Sequence, residues 1–222
     1  MTQIRETPRR GTRLPRSARR AQLLDAALEV FVTNGYHSAA MDEIAERAGV
    51  SKPVLYQHFP SKLELYIALL DTSCDDLLQG VREALDSVPA NKERVTATMA
   101  AFYDYVAGAK AAFRLVFESD LTNDPHVRER VDRVTNESAA LVAEVIAEDT
   151  ALPAEAAKLL AVSLVGMAQV SARYWVAHED SSLDQETAVA LVSGLAWRGI
   201  RGYPLGGEQA HGVREHGRRA PS

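Results

Sequence analysis

The feature that constrains this chain most is a helical spacing of apolar residues along most of its length. Leu24, Ala27, Leu28 and Phe31 occupy positions i, i+3, i+4 and i+7, which lie on one face of an α-helix. The alternation typical of strands does not persist anywhere. With 222 residues, 46% of them hydrophobic, the chain can bury a sizeable core. The pattern therefore predicts an all-α fold.

Turn and cap residues divide this pattern into helices. Ser17 can begin the first helix, and Asn34-Gly35 can end it. The capping box at Ser61–Glu64 predicts a long helix that runs to about Leu85. Later breaks predict further helices near residues 91–107, 110–119, 125–148, 153–178 and 184–202.

The charge is distributed unevenly along the chain. Residues 1–24 hold seven arginines and one acidic residue. Residues 1–62 carry a net charge of +4, whereas residues 63–222 carry −9. A basic head on an acidic body indicates a head that meets a polyanion. The alternative for the first dozen residues is a solvated disordered arm.

Two short helical patterns follow the first helix, separated by Ala48-Gly49-Val50-Ser51. This layout is typical of a helix-turn-helix, because glycine permits the tight turn and the second short helix can enter a major groove. Ser51 is placed to cap that helix, and Leu55 and Phe59 are expected to face inward. The layout alone also arises by chance, so the residues of the second helix decide the interpretation.

The second short helix has a face suited to DNA. If Leu55 points into the core, Pro53 and Gln57 point the opposite way, because each residue turns the helix by about 100°. The residues expected to read base edges are Lys52, Pro53, Val54 and Gln57. The residues expected to bind phosphate are Tyr56, His58, Lys62, Arg16 and Arg20. The alternatives are a surface histidine at 58, plain packing at 56 and a solvated charge at 62.

This segment resembles the signature of the TetR family of bacterial regulators. The matching residues are Gly35-Tyr36, Ile44-Ala45, Ala48-Gly49-Val50-Ser51, Leu55-Tyr56, His58-Phe59, Ser61-Lys62 and Leu65. Leu164–Met167 and Ala172–Trp175 extend a narrower resemblance, to members that control fatty-acid synthesis in actinobacteria. The resemblance implies DNA contacts by Tyr56, His58 and Lys62, a paired four-helix dimer interface and a small-molecule effector.

The chain departs from the family pattern just before the second helix. Members commonly carry a hydroxyl residue there, whereas this chain has Ala39 and Ala40. Either Ser38 substitutes for that hydroxyl or one phosphate contact is missing. The arginine arm could then compensate through phosphates or a minor groove.

Two segments of the body, 153–178 and 188–197, are apolar on more than one face. A helix that is apolar all round must be buried on all sides. They could be core helices of a monomer, or they could also pack against a partner chain, which is the interpretation we favour. The residues expected at a homodimer interface are Ser163, Gly166, Val170, Val192 and Trp197.

A cluster of aromatic and aliphatic residues in the body is either plain core or the lining of an effector cavity. Its members are Met99, Phe102, Tyr105, Phe113, Phe117, Leu121, Met167 and Tyr174. The family resemblance implies a small apolar effector, such as a long-chain acyl-CoA or a fatty acid. The alternative is another hydrophobic ligand that controls an efflux or catabolic operon.

No group of residues predicts catalysis, a bound metal or a resident cofactor. Cys74 has no histidine at helical contact spacing, and the six histidines lack metal-ligand spacing. His178-Glu179-Asp180 is most simply a solvated helix end. Two rival functions remain: a small acyl-binding enzyme, and an architectural DNA-binding protein without an effector.

These patterns predict four segments in a cytoplasmic protein that binds an inverted-repeat DNA operator and contacts no membrane. The segments are a basic disordered arm at 1–15, a helix-turn-helix domain at 16–62, an effector-binding and dimerisation domain at 63–203, and a disordered tail at 204–222.

Overall fold

The computed structural model describes residues 14–108, 116, 121, 123–178 and 183–200. Most of the predicted arm, the predicted tail, Phe113 and Phe117 lie outside the described residues. The helix predicted at 110–119 is also outside them, apart from Val116.

The described residues form α-helices and no strands, which confirms the predicted all-α fold. The helices are α1 (Arg16–Ser38), α2 (Met41–Arg47), α3 (Lys52–His58), α4 (Lys62–Asp86), α5 (Asn91–Gly108), α6 (Pro125–Asp149), α7 (Ala154–Ala177) and α8 (Gln185–Ile200).

The chain divides into two compact units, Met1–Leu69 and Leu70–Ser222. We call the first the head and the second the body. In the head, α1, α2 and α3 enclose side chains such as Leu23, Ile44 and Leu55, all 0% exposed. The head extends past the predicted boundary at residue 62 because the start of α4 also packs in it: the rings of Tyr66 and Phe31 meet edge to face at 5.1 Å.

Two glycines shape the turns of the head. Gly35 has φ 73° and ψ 165° and interrupts α1, where the sequence predicted its end. Gly49 has φ 63° and forms the turn between α2 and α3. Residues with a Cβ rarely adopt a positive φ, so glycine suits both positions.

The helix caps follow the sequence in part. The hydroxyl of Ser61 accepts a hydrogen bond from the Glu64 amide at 3.1 Å, as the capping box predicts. Ser51 holds the N-cap position of α3, but its side chain makes no capping bond. The prediction for Ser17 was wrong: Pro15 is the N-cap, and its carbonyl accepts the Arg19 amide.

In the body, α6 and α7 pack together along a seam of small and aliphatic residues. Ala139, Ile146, Ala157 and Ala161 form a buried cluster, each at most 5% exposed. The carboxylate of Asp124 caps α6 by accepting hydrogen bonds from the backbone amides of His126 and Val127. The small side chains let the two helices approach closely, which fixes one wall of the cavity described below.

Candidate DNA-binding surface and effector cavity

The α3 helix presents the face that the sequence predicted. Leu55 is fully buried, whereas Pro53 and Gln57 are exposed. Tyr56 is 39% exposed, and Val54 is half-buried. An exposed face at the start of a helix that follows a tight turn matches a recognition helix in a major groove.

Lys52, at the start of α3, is tied to the preceding helix. Its ammonium forms an ion pair with Asp42 at 2.7 Å. The hydrogen bond and the negative charge of Asp42 raise the pKa of Lys52. The ammonium also lies 6.0 Å from the centre of the Tyr56 ring. The base contact predicted for Lys52 would therefore require it to exchange or share Asp42.

A cluster of positive charge lies beside the end of α3. Burial lowers the pKa of His58, and the charges of Arg16, Arg20 and Arg19 lower it further. The guanidinium of Arg20 stacks on the ring of Phe59 at 4.4 Å. These cations disfavour a proton on His58, and the same field attracts an anion such as a DNA phosphate.

The α1 helix is also joined to the turn of the helix-turn-helix. Arg19 donates to the side-chain oxygen of Gln22 at 2.7 Å, and the Gln22 amide donates to the Ala48 carbonyl at 2.8 Å. At the same end of α2, Arg47 pairs with Glu29, and near the start of α2 Glu43 accepts a hydrogen bond from Asn34. These contacts hold α2 against α1 from both ends.

Lys62 makes contacts that the sequence did not predict. Its ammonium donates to the carbonyls of Tyr36 at 2.8 Å, His37 at 3.1 Å and Ala39 at 3.0 Å. It also lies 4.6 Å from the centre of the Tyr36 ring. An ammonium has three N–H donors, and all three are used here. These bonds make Lys62 a brace of the α1–α2 junction. The phosphate contact predicted for Lys62 would require it to give up one of them and stays a prediction.

The missing hydroxyl before α2 leaves that helix without a side-chain cap. Ala40 is the N-cap residue and makes no side-chain capping bond. The carbonyl of the preceding Ala39 is instead held by Lys62. Ser38 is exposed at the end of α1. Its proposed substitution for the missing hydroxyl stays a prediction.

The body contains a cavity of about 430 Å³ with largely apolar walls. This volume is within the range of sites for small molecules, about 300–1,000 Å³. All five helices α4 to α8 contribute to it. The apolar lining includes Leu77, Val81, Leu85, Val95, Met99, Phe102, Val134, Val142, Val145, Ile146, Leu164, Val165, Ala168 and Trp197.

The cavity includes some of the residues predicted for it and omits others. Met99 and Phe102 line it, whereas Tyr105, Leu121 and Met167 are not among its lining residues. The hydroxyl of Tyr105 instead donates to the carbonyl of Ser73 at 3.0 Å, and burial raises the pKa of this tyrosine.

Tyr174 and Trp197 lie on the opposite sides of their helices from those predicted. Tyr174 is 65% exposed, while Ala172, two residues earlier, is fully buried. Trp197, predicted at the interface, lines the cavity, while Leu195 is 63% exposed. Two residues turn a helix by about 200°, so each pair divides between inner and outer faces. The assignments of Tyr174 to the pocket and of Trp197 to the interface are therefore corrected.

The outer faces of α7 and α8 are apolar and exposed. Of the large hydrophobic side chains exposed in the described part of the body, every one lies on these two helices: Leu159, Val162, Val170, Tyr174, Leu191 and Leu195. Val170 and the exposed Ser163 belong to this surface, and Gly166 and Val192 are half-buried beside it. Contiguous apolar surface of this kind marks an interaction site. We call it the apolar face.

The α7 helix is also long and apolar enough to cross a membrane by length and composition. Only 17% of its most apolar window is buried. A single such helix is weak evidence for a membrane span, since a helix that packs against another protein has the same composition.

Comparison with known proteins identifies the family. Residues 23–69 match the model for bacterial regulatory proteins of the tetR family. The chain is 48% identical over 197 residues to the HTH-type transcriptional activator FasR of Mycolicibacterium smegmatis. The aligned residues cover 89% of this chain and 90% of that protein. This chain belongs to the TetR family. The resemblance to this family's fatty-acid-synthesis regulators that the sequence indicated is thereby confirmed.

Solved structures have the same fold. A TetR-like regulator from Rhodococcus sp. RHA1 has a TM-score of 0.69 and 28% identity, and it covers 86% of this chain and 100% of that one. FadR of Bacillus subtilis, solved in complex with stearoyl-CoA, has a TM-score of 0.66 at 19% identity and covers 81% of this chain and 96% of that one. Members of the TetR family are transcription regulators, so the rival interpretations as an enzyme or an architectural protein lose their support.

Several cavity residues of this TetR-family chain were missed at the sequence level. Leu77, Val81 and Leu85 of α4 recur every four residues, and Val134 and Val142 form a similar row on α6. The regular spacing of these aliphatic side chains could have indicated a cavity wall, but the predicted pocket was based mainly on aromatic residues. Arg94 also lines the cavity, on the same α5 face as Asn91 and Thr98.

We expect Lys62→Met to destabilise the head, because it removes three hydrogen bonds to backbone carbonyls. The loss of about 1–2 kcal/mol should lower the melting temperature by roughly 2–6 °C. Lys92→Met, at an exposed position of α5, is the control and should leave the melting temperature unchanged. Unchanged stability, together with weaker operator binding and a salt dependence reduced by about one phosphate, would instead establish Lys62 as a phosphate ligand.

Proposed function

We propose that this protein is a homodimeric, cytoplasmic transcription regulator whose binding to an inverted-repeat operator is controlled by a long-chain acyl ligand in the body cavity. The observation that carries the proposal is one chain with both an exposed recognition helix and an apolar cavity. The effector is a regulatory ligand and no cofactor takes part. The other candidate, a hydrophobic ligand that controls efflux or catabolic genes, fits the same cavity.

The DNA contacts divide into two kinds. Pro53 and Gln57 lie on the exposed face of α3 and suit base edges, while Lys52 and Val54 lie at its start. Gln57 can form two hydrogen bonds with an adenine, and the apolar side chains can contact thymine methyls. Tyr56, His58, Arg16 and Arg20 surround this face with phosphate donors. Phosphate contacts supply affinity, whereas base contacts supply sequence preference.

Two substitutions should separate these contributions. Tyr56→Phe should weaken binding to all DNA sequences by about tenfold or more, as expected for one lost hydrogen bond to a charged phosphate, about 1.5–3 kcal/mol. Gln57→Ala should relax the preference at a single base pair, where the wild type discriminates by about 1–3 kcal/mol. Fluorescence anisotropy with the operator and its single-base variants measures both, with Gln79→Ala in the body as control. A recognition role for α3 is excluded if Gln57→Ala leaves every base preference intact.

The apolar face is the surface that we assign to dimerisation. It is continuous over two helices, and in the TetR family a paired four-helix interface is expected here. Leu159, Leu191 and Leu195 are each more than 60% exposed in the single chain. Burial of apolar surface contributes about 25 cal/mol per Å², so pairing of two such faces is favourable. An inverted repeat matches the two-fold symmetry of such a dimer.

We expect Leu191→Glu to convert the dimer into a monomer at micromolar concentration. An unpaired charge buried in the interface costs about 3–5 kcal/mol. Asn136→Glu adds the same charge at an exposed position of α6, outside the apolar face, and should leave the dimer intact. Light scattering measures the mass in solution. A wild-type protein that is monomeric under these conditions rules out the assigned interface.

The cavity suits an acyl chain because its walls are mainly aliphatic. A structural neighbour points the same way, since the B. subtilis FadR structure contains stearoyl-CoA. A ligand can change DNA affinity only by binding one conformation of the protein more tightly than another. The α4 helix contributes both Lys62 in the head and Leu77 in the cavity wall, so it is the element that such a preference would act on.

Wild-type operator binding titrated with acyl-CoA of increasing chain length tests the effector. Each buried methylene contributes about 0.8 kcal/mol, so stearoyl-CoA should act at concentrations on the order of a hundredfold lower than a chain four carbons shorter. Acetyl-CoA is the control for the head group and should have no effect. If neither acyl-CoA nor free fatty acid binds or changes operator affinity, the acyl ligand is wrong, and the alternative hydrophobic effector takes its place.

A further inference from the structure

The α5 face that lines the cavity carries its polar residues near the start of the helix. Asn91, Arg94 and Thr98 line the cavity in the first half beside Val95, and Met99 and Phe102 follow. These residues are three, one, three, one and three positions apart, so they share one side of the helix. The start of α5 therefore gives the cavity a polar end, whereas the α5 lining beyond Thr98 is apolar.

Arg94 is held in place at that polar end. Its Nε donates to the carbonyl of Val88 at 2.9 Å, and the side chain is half-buried. In the described part of the chain it forms no ion pair, although Asp149 also lines the cavity. Since Nε is used, the two terminal nitrogens remain to bind a ligand. The first turn of a helix also favours a negative charge through the aligned peptide dipoles.

A second polar group at this end lacks a partner. The hydroxyl oxygen of Thr98, one turn beyond Arg94, is buried and has no hydrogen-bond partner among the described residues. Thr96 on the same helix shows the contrast, since its hydroxyl donates to the Lys92 carbonyl at 3.2 Å. Buried polar groups in folded proteins are nearly always hydrogen-bonded. The polar end is therefore incomplete without a polar ligand group.

We propose that Arg94 binds the anionic head group of the effector and thereby orients the ligand, with its chain directed along the apolar wall toward Phe102 and Ala168. The inference rests on the acyl effector proposed above. A guanidinium binds a carboxylate or a phosphate through two parallel hydrogen bonds. The anion is therefore the carboxylate of a free fatty acid or a phosphate of an acyl-CoA. A single arginine favours one anionic group in the cavity over several.

The test compares ligands that differ only in the head group, by calorimetric titration of the full-length protein. Stearate and stearoyl-CoA are anionic, whereas methyl stearate is neutral. Arg94→Met should weaken binding of the ligand whose anion it holds about tenfold or more, and binding of methyl stearate by less than twofold, as expected for one charge-assisted pair. Arg94→Lys should recover part of the lost affinity, because lysine retains the positive charge but cannot form the two parallel hydrogen bonds of a guanidinium. Arg82→Met, on the exposed side of α4, is the control.

The outcomes separate this inference from the effector proposal. Loss of stearate binding alone identifies a carboxylate, and loss of stearoyl-CoA binding alone identifies a phosphate; either supports the assignment. Equal loss for stearate, stearoyl-CoA and methyl stearate would make Arg94 merely structural, through its bond to Val88, and would overturn it. Unchanged binding of all three to Arg94→Met would overturn it too. Failure of the wild type to bind any of them would refute the acyl effector itself.

Discussion

The body depends on one constraint: α7 has two apolar faces, and both must be covered. The inner face, with Ala157, Ala161 and Ala168, packs in the body and borders the cavity. The outer face, with Leu159 and Val170, is exposed in the single chain. The buried alanines on the inner side allow close helix packing, while the large side chains on the outer side offer area to a partner. The cavity and the surface proposed for dimerisation are therefore two sides of one helix.

The head solves a different problem, since seven-residue helices such as α2 and α3 have little core of their own. Leu55 and Ile44 are fully buried, but the positions of the turns are set by polar contacts to backbone carbonyls. Gln22 holds the Ala48 carbonyl at one end of α2, and Lys62 holds the Ala39 carbonyl at the other. An unsatisfied carbonyl is costly when shielded from water, so these side chains stabilise one arrangement of the recognition helix over others.

The helices were predictable because caps and apolar spacing are local. The capping box at Ser61 and the break at Gly35 lie where the sequence places them, and so does the exposed face of α3. The cavity was predictable only in part. Tyr174 and Trp197 lie on helices with two apolar faces, and periodicity cannot tell an inner from an outer face when both are apolar. The hydrogen bonds of Lys62 could not be predicted, because the acceptors are backbone carbonyls more than twenty residues away. Every residue has such a carbonyl, so the residue type does not identify the acceptor.

The cavity and the DNA-binding head have one helix in common rather than one residue. The α4 helix lines the cavity with Leu77, Val81 and Leu85, and the same helix begins with the lysine that braces the α1–α2 junction. A ligand that fits only one position of α4 shifts the population of that position by its difference in affinity, typically about 1–3 kcal/mol in coupled sites. That corresponds to about 5- to 150-fold in operator affinity. Because coupling is reciprocal, bound operator must change the affinity for the ligand by the same factor, whichever direction the regulation takes.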